Sequence, residues 1–265
     1  MNDRAPTVVA DKLSVCVKGK TILEGCSFRI ERGESATIIG RNGAGKTTLL
    51  KCIGGLTRAT AGSVHVEGRL VSDCPPRERA RLMAYVPQSA GIVLTCTAYD
   101  FVVMARYAHF KTPLAIAEAN KSAALEAMKT TGTVEFRNRR LNTLSGGERQ
   151  KVFIAAALAQ GSPILLLDEP AAFLDYSHEA ELAALVQRLN KESGLTVISV
   201  THDLNQGALE CDRVVALHCG KLVFCGPPDG LSSPDVLRSI YQTPFDIVEH
   251  GGTGRSIVIP LRRRP

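Results

Sequence analysis

Tryptophan is absent from these 265 residues, and aromatic residues of all kinds make up only 5%. With so few rings, and no interleaving of basic and aromatic side chains, the chain offers no surface on which nucleobases would stack, and no nucleic-acid partner is expected. A membrane-spanning run is missing too. The longest tight apolar run, residues 164–167, has the length of a buried strand and falls far short of the roughly 18 to 20 residues of a membrane helix. The first twenty residues lack the basic, apolar and small-residue regions of a secretory signal, so the chain is expected to stay where it is synthesised. No C-x-x-C pair occurs among the eight cysteines, Cys16, Cys26, Cys52, Cys74, Cys96, Cys211, Cys219 and Cys225. A chain of this length needs no disulfide staples, and they read as reduced packing thiols. Cys211, His218, Cys219 and Cys225 lie near one another, but their spacing fits no common zinc pattern. Nor is there a large charge excess: the net charge is +6, part of it in Arg262, Arg263 and Arg264, which are expected to be solvated. Internal repeats and low-complexity stretches are absent.

What is present is an ordinary globular composition, 45% hydrophobic and 22% charged, long enough for one large domain or two small ones with a full core. Short β-branched runs at 35–39, 164–167 and 196–200 read as fully buried strands between alanine-rich or charged segments. This pattern predicts an α/β fold with a parallel sheet. Residues 7–17 and 26–30 alternate more and are joined through Lys18, Gly19 and Lys20, predicting an antiparallel β layer at the amino end. From about 98 to 160 the strand signal vanishes, and helical periodicity takes over at 114–129 and 148–159. A helical subdomain is therefore expected at about 90–160, inserted in a domain spanning 1–240, with 241–265 as a carboxy-terminal extension.

Three motifs carry chemistry. Gly40, Arg41, Asn42, Gly43, Ala44, Gly45, Lys46 and Thr47 follow the strand at 35–39 and precede an apolar helix read as 48–56, beginning at Thr48. Glycines there let backbone N–H groups turn inward around phosphate oxygens, and the helix start adds a positive dipole end. Lys46 supplies a point charge and Thr47 a hydroxyl for Mg²⁺. The segment 164–170, an apolar strand, ends in two adjacent carboxylates, Asp168 and Glu169, whose side chains point to opposite faces and must do different jobs. In a nucleoside triphosphatase the first helps hold Mg²⁺, directly or through water, and the second is placed to orient and deprotonate a water. The third motif, residues 144–150, starts a helix with Ser145 as N-cap, Gly146 and Gly147 free of side chains, and Glu148 three residues after the cap. It is a second phosphate-binding end, and implies either two nucleotides per chain or one nucleotide clamped by two chains.

In their order along the chain, 40–47, 144–148 and 164–169, the three motifs resemble those of ABC-type ATPases. Gln88, in Tyr85-Val86-Pro87-Gln88, is similar to that family's Q-loop glutamine, His202 to its switch histidine, and Phe173-Leu174-Asp175 to its D-loop. The resemblance extends over nearly the whole chain. It implies an ABC nucleotide-binding domain that binds ATP with Mg²⁺, the metal falling to Thr47, Gln88 and Asp168, and the hydrolytic site to Lys46, Gln88, Glu169 and His202. It also implies a head-to-tail homodimer, ATP lying between one chain's Lys46 loop and the other's Ser145, Gly146 and Gly147, with Asp175 beside the shared site. Residues 97–109, and at the close 220–228, 237–245 and 251–261, are similar to segments in ATPases of iron-siderophore, haem and cobalamin importers. That finer resemblance implies an integral-membrane permease, docked on the stretch after Gln88, a separate substrate-binding protein, and a peripheral location on the cytoplasmic face of the cell membrane.

Three positions depart from the family. Val17 stands where an adenine-stacking aromatic is usual, Ala171 where threonine follows Glu-Pro, and Ala156 where the helix after the third motif carries arginine. The first removes a π-face and the other two remove hydrogen-bond donors. Alternatives are an ATPase of a zinc, manganese or molybdate importer, a soluble ABC-type switch protein, and a nucleotide-binding scaffold with little turnover.

Overall fold

Alternating burial builds the amino-terminal layer. In the computed structural model, which describes residues 6–88, 94–110, 117–205, 211–249 and 256–261, β1 (Pro6–Val17) and β2 (Lys20–Glu31) pair antiparallel. Lys18 and Gly19 turn between them, both at positive φ, as the commonest two-residue hairpin requires. Val8, Ala10, Leu13 and Val15 of β1 and Leu23, Cys26, Phe28 and Ile30 of β2 are buried. β2 begins six residues before the alternation at 26 suggests. The pairing shifts register on both sides of Leu13, and Gly25 adopts a left-handed φ of 60°, so a bulge breaks the period-two signal. β4 (Ala61–Val66) and β5 (Arg69–Leu70) complete this sheet, in the order β2-β1-β4-β5.

The chain divides into two compact units, Met1–Asp73 with Thr196–Pro265, and Cys74–Leu195. Besides the antiparallel layer, the first unit holds β3 (Ser35–Gly40), which pairs in parallel with β8 (Thr196–Val200) on one side and β9 (Arg213–His218) on the other. An antiparallel strand, β10 (Lys221–Gly226), adds to β9. β3 and β8 are almost wholly buried, and so read in the sequence as continuous apolar runs. The helix after the phosphate-type loop, α1, is Lys46–Ile53. It starts two residues earlier than its apolar run and stops short of 56, because Gly54 and left-handed Gly55 end it. The carboxy-terminal segment adds α7 (Pro234–Tyr241) and a hairpin of β11 (Phe245–Glu249) with β12 (Ser256–Pro260). Leu237, Ile240 and Val258 from this segment are buried in one cluster with Ile39, Val214 and Ala216. Arg262, Arg263 and Arg264 lie outside the described residues.

In the second unit α2 (Pro76–Leu82) leads into β6 (Met83–Val86), which pairs in parallel with β7 (Ile164–Asp168). Between these strands lie α3 (Ala98–Met104), α4 (Glu118–Thr130) and α5 (Gly146–Ala159). The helical periodicity at 148–159 corresponds to α5. That at 114–129 corresponds to α4, residues 111–116 being outside the described ones. Phe101 of α3 and Phe153 of α5 stack with ring centroids 5.2 Å apart. Arg106 ties the end of α5 by donating to the Ala159 carbonyl at 2.8 Å and to Asn120 Oδ1 at 3.3 Å. A long helix, α6 (Tyr176–Ser193), packs Leu182, Leu185 and Leu189 against Ile154.

The carboxy-terminal segment is thus part of the first unit's core. Leu237 is fully buried there, and Leu237→Ala is expected to cost about 2–5 kcal/mol in urea denaturation. A loss under about 1 kcal/mol, the level of a surface change, would contradict this packing.

Candidate active site

The phosphate-type loop is shaped by two walls that forbid a side chain. Gly45, at φ 101°, caps α1, and a Cβ there would stand 2.7 Å from Leu23 Cδ2 and 2.9 Å from the Ile22 carbonyl oxygen. At Gly40 a Cβ would meet the Leu217 carbonyl oxygen at 2.3 Å. The loop is also braced along its backbone. Ala44 donates its N–H to the Arg41 carbonyl at 3.0 Å, and its own carbonyl accepts from Gly220 N–H at 3.1 Å. Gly220 in turn accepts from Glu24 N–H at 2.9 Å, so the β9–β10 turn and β2 hold the loop from behind. Lys46 is only 6% exposed. Its Nζ donates to the carbonyls of Gly40 at 2.9 Å and Arg41 at 3.3 Å, which curl the loop around the ammonium. Arg41, Asn42 and Gly43 are exposed, and Thr47 and Thr48 are half-buried. No acidic residue stands in the first turn of α1, and the positive end of a helix dipole favours an anion.

His202 follows β8 and is exposed. Its neighbours are fixed locally: Asp203 N–H donates to Thr201 Oγ1 at 3.1 Å, and Asn205 N–H to Asp203 Oδ1 at 2.9 Å. Val17, at the end of β1, is 48% exposed and presents an aliphatic side chain.

In the second unit the two strand-end carboxylates have different partners. Asp168 is buried, and the Tyr85 hydroxyl donates to its Oδ2 at 2.7 Å. Burial first, and then this carboxylate, push the Tyr85 phenol well above its ordinary pKa. Glu169 takes a left-handed backbone, φ 46°, and its Oε2 accepts from Gln88 Nε2 at 3.1 Å. A non-glycine residue there costs on the order of 1–3 kcal/mol and marks a place where the chain is forced to aim a side chain.

Ser145 caps α5 as the sequence predicts: its Oγ accepts from Glu148 N–H at 3.2 Å while Glu148 Oε2 accepts from Ser145 N–H at 2.8 Å. Arg139 holds the other carboxylate oxygen at 3.2 Å. The Ser145 N–H above all, aided by Arg139, keeps the Glu148 carboxyl below its usual pKa. Gly147 is covered by His178, whose Cδ2 would lie 2.4 Å from a Cβ at that position. His178 Nδ1 donates to both Asp175 oxygens at 2.9 Å, and Asp175 Oδ1 accepts the His178 N–H at the start of α6. His178 therefore joins Asp175 to the α5 start. Sequence reasoning missed it, although its position three residues after an N-cap aspartate is a readable signal. Gln150 of α5 is buried, and neither amide atom has a hydrogen-bond partner among the described residues. Ala156 is buried in α5, and Ala171 packs against the Ile154 cluster, so both departures from the family pattern are apolar contacts.

A braced phosphate-type loop after a buried strand, paired strand-end carboxylates and a capped glycine helix start define a nucleoside-triphosphate-binding domain of α/β class. The ABC transporter family model matches residues 23–172, and the chain belongs to that family, carrying its ATPase domain. It is 33% identical to the iron(3+)-hydroxamate import ATP-binding protein FhuC of Bacillus subtilis, over 94% of this chain and 93% of that one. With the hemin import ATP-binding protein HmuV of Rhodococcus jostii it shares 36% identity, over 97% and 87%. The chain spans 57% of the length of the uncharacterised ABC transporter ATP-binding protein YvrA of Bacillus subtilis, at 36% identity over 94% of its own. Among solved structures, the dimeric post-hydrolysis cassette MJ0796 bound to ADP and phosphate superposes with a TM-score of 0.74 at 29% identity, over 83% of this chain and 98% of that one. An inward-facing ABC transporter assigned to the metal-chelate type reaches 0.85 at 22% identity, over 98% and 99%, which shows the shared fold.

Because the Glu148 pKa is lowered in the fold, its stabilising contribution is full above the ordinary value of 4.5 and is lost as pH falls through the lowered one. Glu148→Gln is expected to be less stable than the parent at pH 7 in urea denaturation, with a gap that narrows below pH 4.5. A gap undiminished at acid pH would contradict the capping box.

Proposed function

We propose that this chain is the ATP-hydrolysing subunit of an importer of metal chelates of the iron-siderophore, haem or cobalamin class. Two copies pair head to tail and couple hydrolysis to an integral-membrane permease at the cytoplasmic face. A substrate-binding protein delivers the chelate. The observation that carries the reading is the near end-to-end similarity to FhuC and HmuV, whose names specify iron-hydroxamate and hemin import. Among the described residues no helix is long and apolar enough to cross a membrane, and in this reading the permease carries out translocation. The permease docks on the stretch after Gln88, of which 89–93 lie outside the described residues.

In this reading Gly40, Arg41, Asn42, Gly43, Ala44, Gly45, Lys46, Thr47 and Thr48 bind the triphosphate. Backbone N–H groups of the loop and the α1 start face the phosphate oxygens, and the Lys46 ammonium draws off charge that develops on the γ-phosphate. Ser145, Gly146 and Gly147 of the second copy close on the same nucleotide, and Asp175, held by His178, lines that junction. Val17 gives the base an apolar contact without a π-face, which loosens base selectivity.

In this reading Mg²⁺ falls to Thr47, Asp168 and Gln88, each of which offers the oxygen ligand that this hard cation takes. Magnesium characteristically takes few protein ligands and completes its shell with water and substrate phosphates. When bound, it neutralises charge on the β- and γ-phosphates. Glu169 holds and deprotonates the attacking water, steadied by the Gln88 amide on its Oε2, and His202 completes the site at the γ-phosphate. Ala156 and Ala171, lacking donors, slow turnover without removing any of these groups.

Glu169→Gln is expected to retain ATP binding while phosphate release falls by about 10² or more. Equal release by parent and variant would overturn the role of Glu169, and silence of both with the permease present would favour a nucleotide-binding scaffold. Membrane fractionation with and without the co-expressed permease separates the importer reading from a soluble switch protein.

A further inference from the structure

The carboxy-terminal hairpin, like His202, lies beyond the residues that the family model matches, and it grips the segment that carries His202. Val258 of β12 pairs with Ile247 across the hairpin, and its own N–H and carbonyl both meet the side chain of Asn205. The Val258 N–H donates to Asn205 Oδ1 at 2.8 Å, and Asn205 Nδ2 donates to the Val258 carbonyl at 3.1 Å. One side-chain amide thus takes the place that a third strand would occupy, with both its donor and its acceptor used. On the other side the Asn205 N–H donates to Asp203 Oδ1 and the Asp203 N–H to Thr201 Oγ1, so the backbone on either side of His202 is pinned by two local hydrogen bonds. Leu204, between His202 and Asn205, packs on the cluster that holds Val258, Leu237 and Ile240 together with Ile39, the residue before Gly40. His202, Asn205 and Arg41 also line one cleft of about 440 Å³ with Tyr241, Phe245 and Val258. The rings of Tyr241 and Phe245 meet edge to face at 5.5 Å, stiffening its hairpin side.

From this arrangement we infer that Asn205 is a positioning residue, through which the β11–β12 hairpin sets the placement of His202 for hydrolysis. The inference rests on the proposed role of His202 at the γ-phosphate. The hairpin is then a working part of the ATPase, and a partner or mutation that pulls on it acts on turnover rather than on nucleotide affinity.

The test uses the full chain with Asn205→Ala and Asn205→Asp. The aspartate keeps an acceptor for the Val258 N–H and loses the donor to its carbonyl. Amide hydrogen exchange over residues 256–261, ATPase kinetics and thermal melting are measured on each. For Asn205→Ala, exchange at Val258 is expected to accelerate and kcat to fall about tenfold, with KM for ATP within about twofold. The melting temperature stays within about 2 °C, and Asn205→Asp falls between parent and alanine variant in kcat. Faster exchange with unchanged kcat would overturn the inference, as would unchanged exchange. So would a loss of kcat that merely follows a fall in melting temperature. A parent protein that hydrolyses nothing with the permease present would overturn the ATPase reading itself, and the exchange data distinguish that failure from absence of the clamp.

Discussion

A backbone N–H can be kept for an anion only where the chain turns too tightly for a side chain to intrude. Gly45 meets that constraint against Ile22 and Leu23, and Gly40 against the Leu217 carbonyl. What lies behind the loop exists to preserve it: β2 supplies one wall, and the β9–β10 turn ties Ala44 through Gly220. Lys46 is drawn under the loop by two carbonyls rather than extended into water. The same constraint recurs at α5, where His178 closes the space above Gly147 and only a residue without Cβ fits.

These two helix starts are built differently. At α1 the positive end has no acidic side chain, which suits the dense charge of a triphosphate. At α5 Glu148 already completes a capping box and is held by Arg139. This start holds Ser145 and the glycine backbone fixed by its own cap, and in the proposed reading it meets a phosphate chain bound by the second copy. The divergence of Asp168 and Glu169 has the same economy. One strand end sends a buried carboxylate to Tyr85 and, through a strained φ at the next residue, a second one to Gln88.

Much of this was legible in the sequence, because it is local. The buried strands β3, β7 and β8, the phosphate-type loop, the Ser145 cap and the alternating carboxylates are all written within a few consecutive residues, where period and spacing suffice. The parts that escaped are not local. Tyr85 and Asp168 are 83 residues apart, and Asn205 and Val258 are 53 apart, so neither contact has a periodic signature. β6 is four residues long, too short for alternation to show, and β2 was obscured by its bulge. The hairpin of β11 and β12 escaped as well: it reads as an appendage in the sequence, yet Val258 is buried in the core.

The central claim is that each ATP is held by two copies of the chain, one giving Lys46 and the other Ser145. Mixing two inactive variants, Lys46→Ala and Ser145→Arg, tests it most directly. In a head-to-tail dimer of one copy of each, both substitutions fall in one site and the other is intact, so random mixing should restore about a quarter of the parental sites. Phosphate release that rises toward that level on mixing is the predicted result, and a mixture as inactive as its separate components would contradict the account.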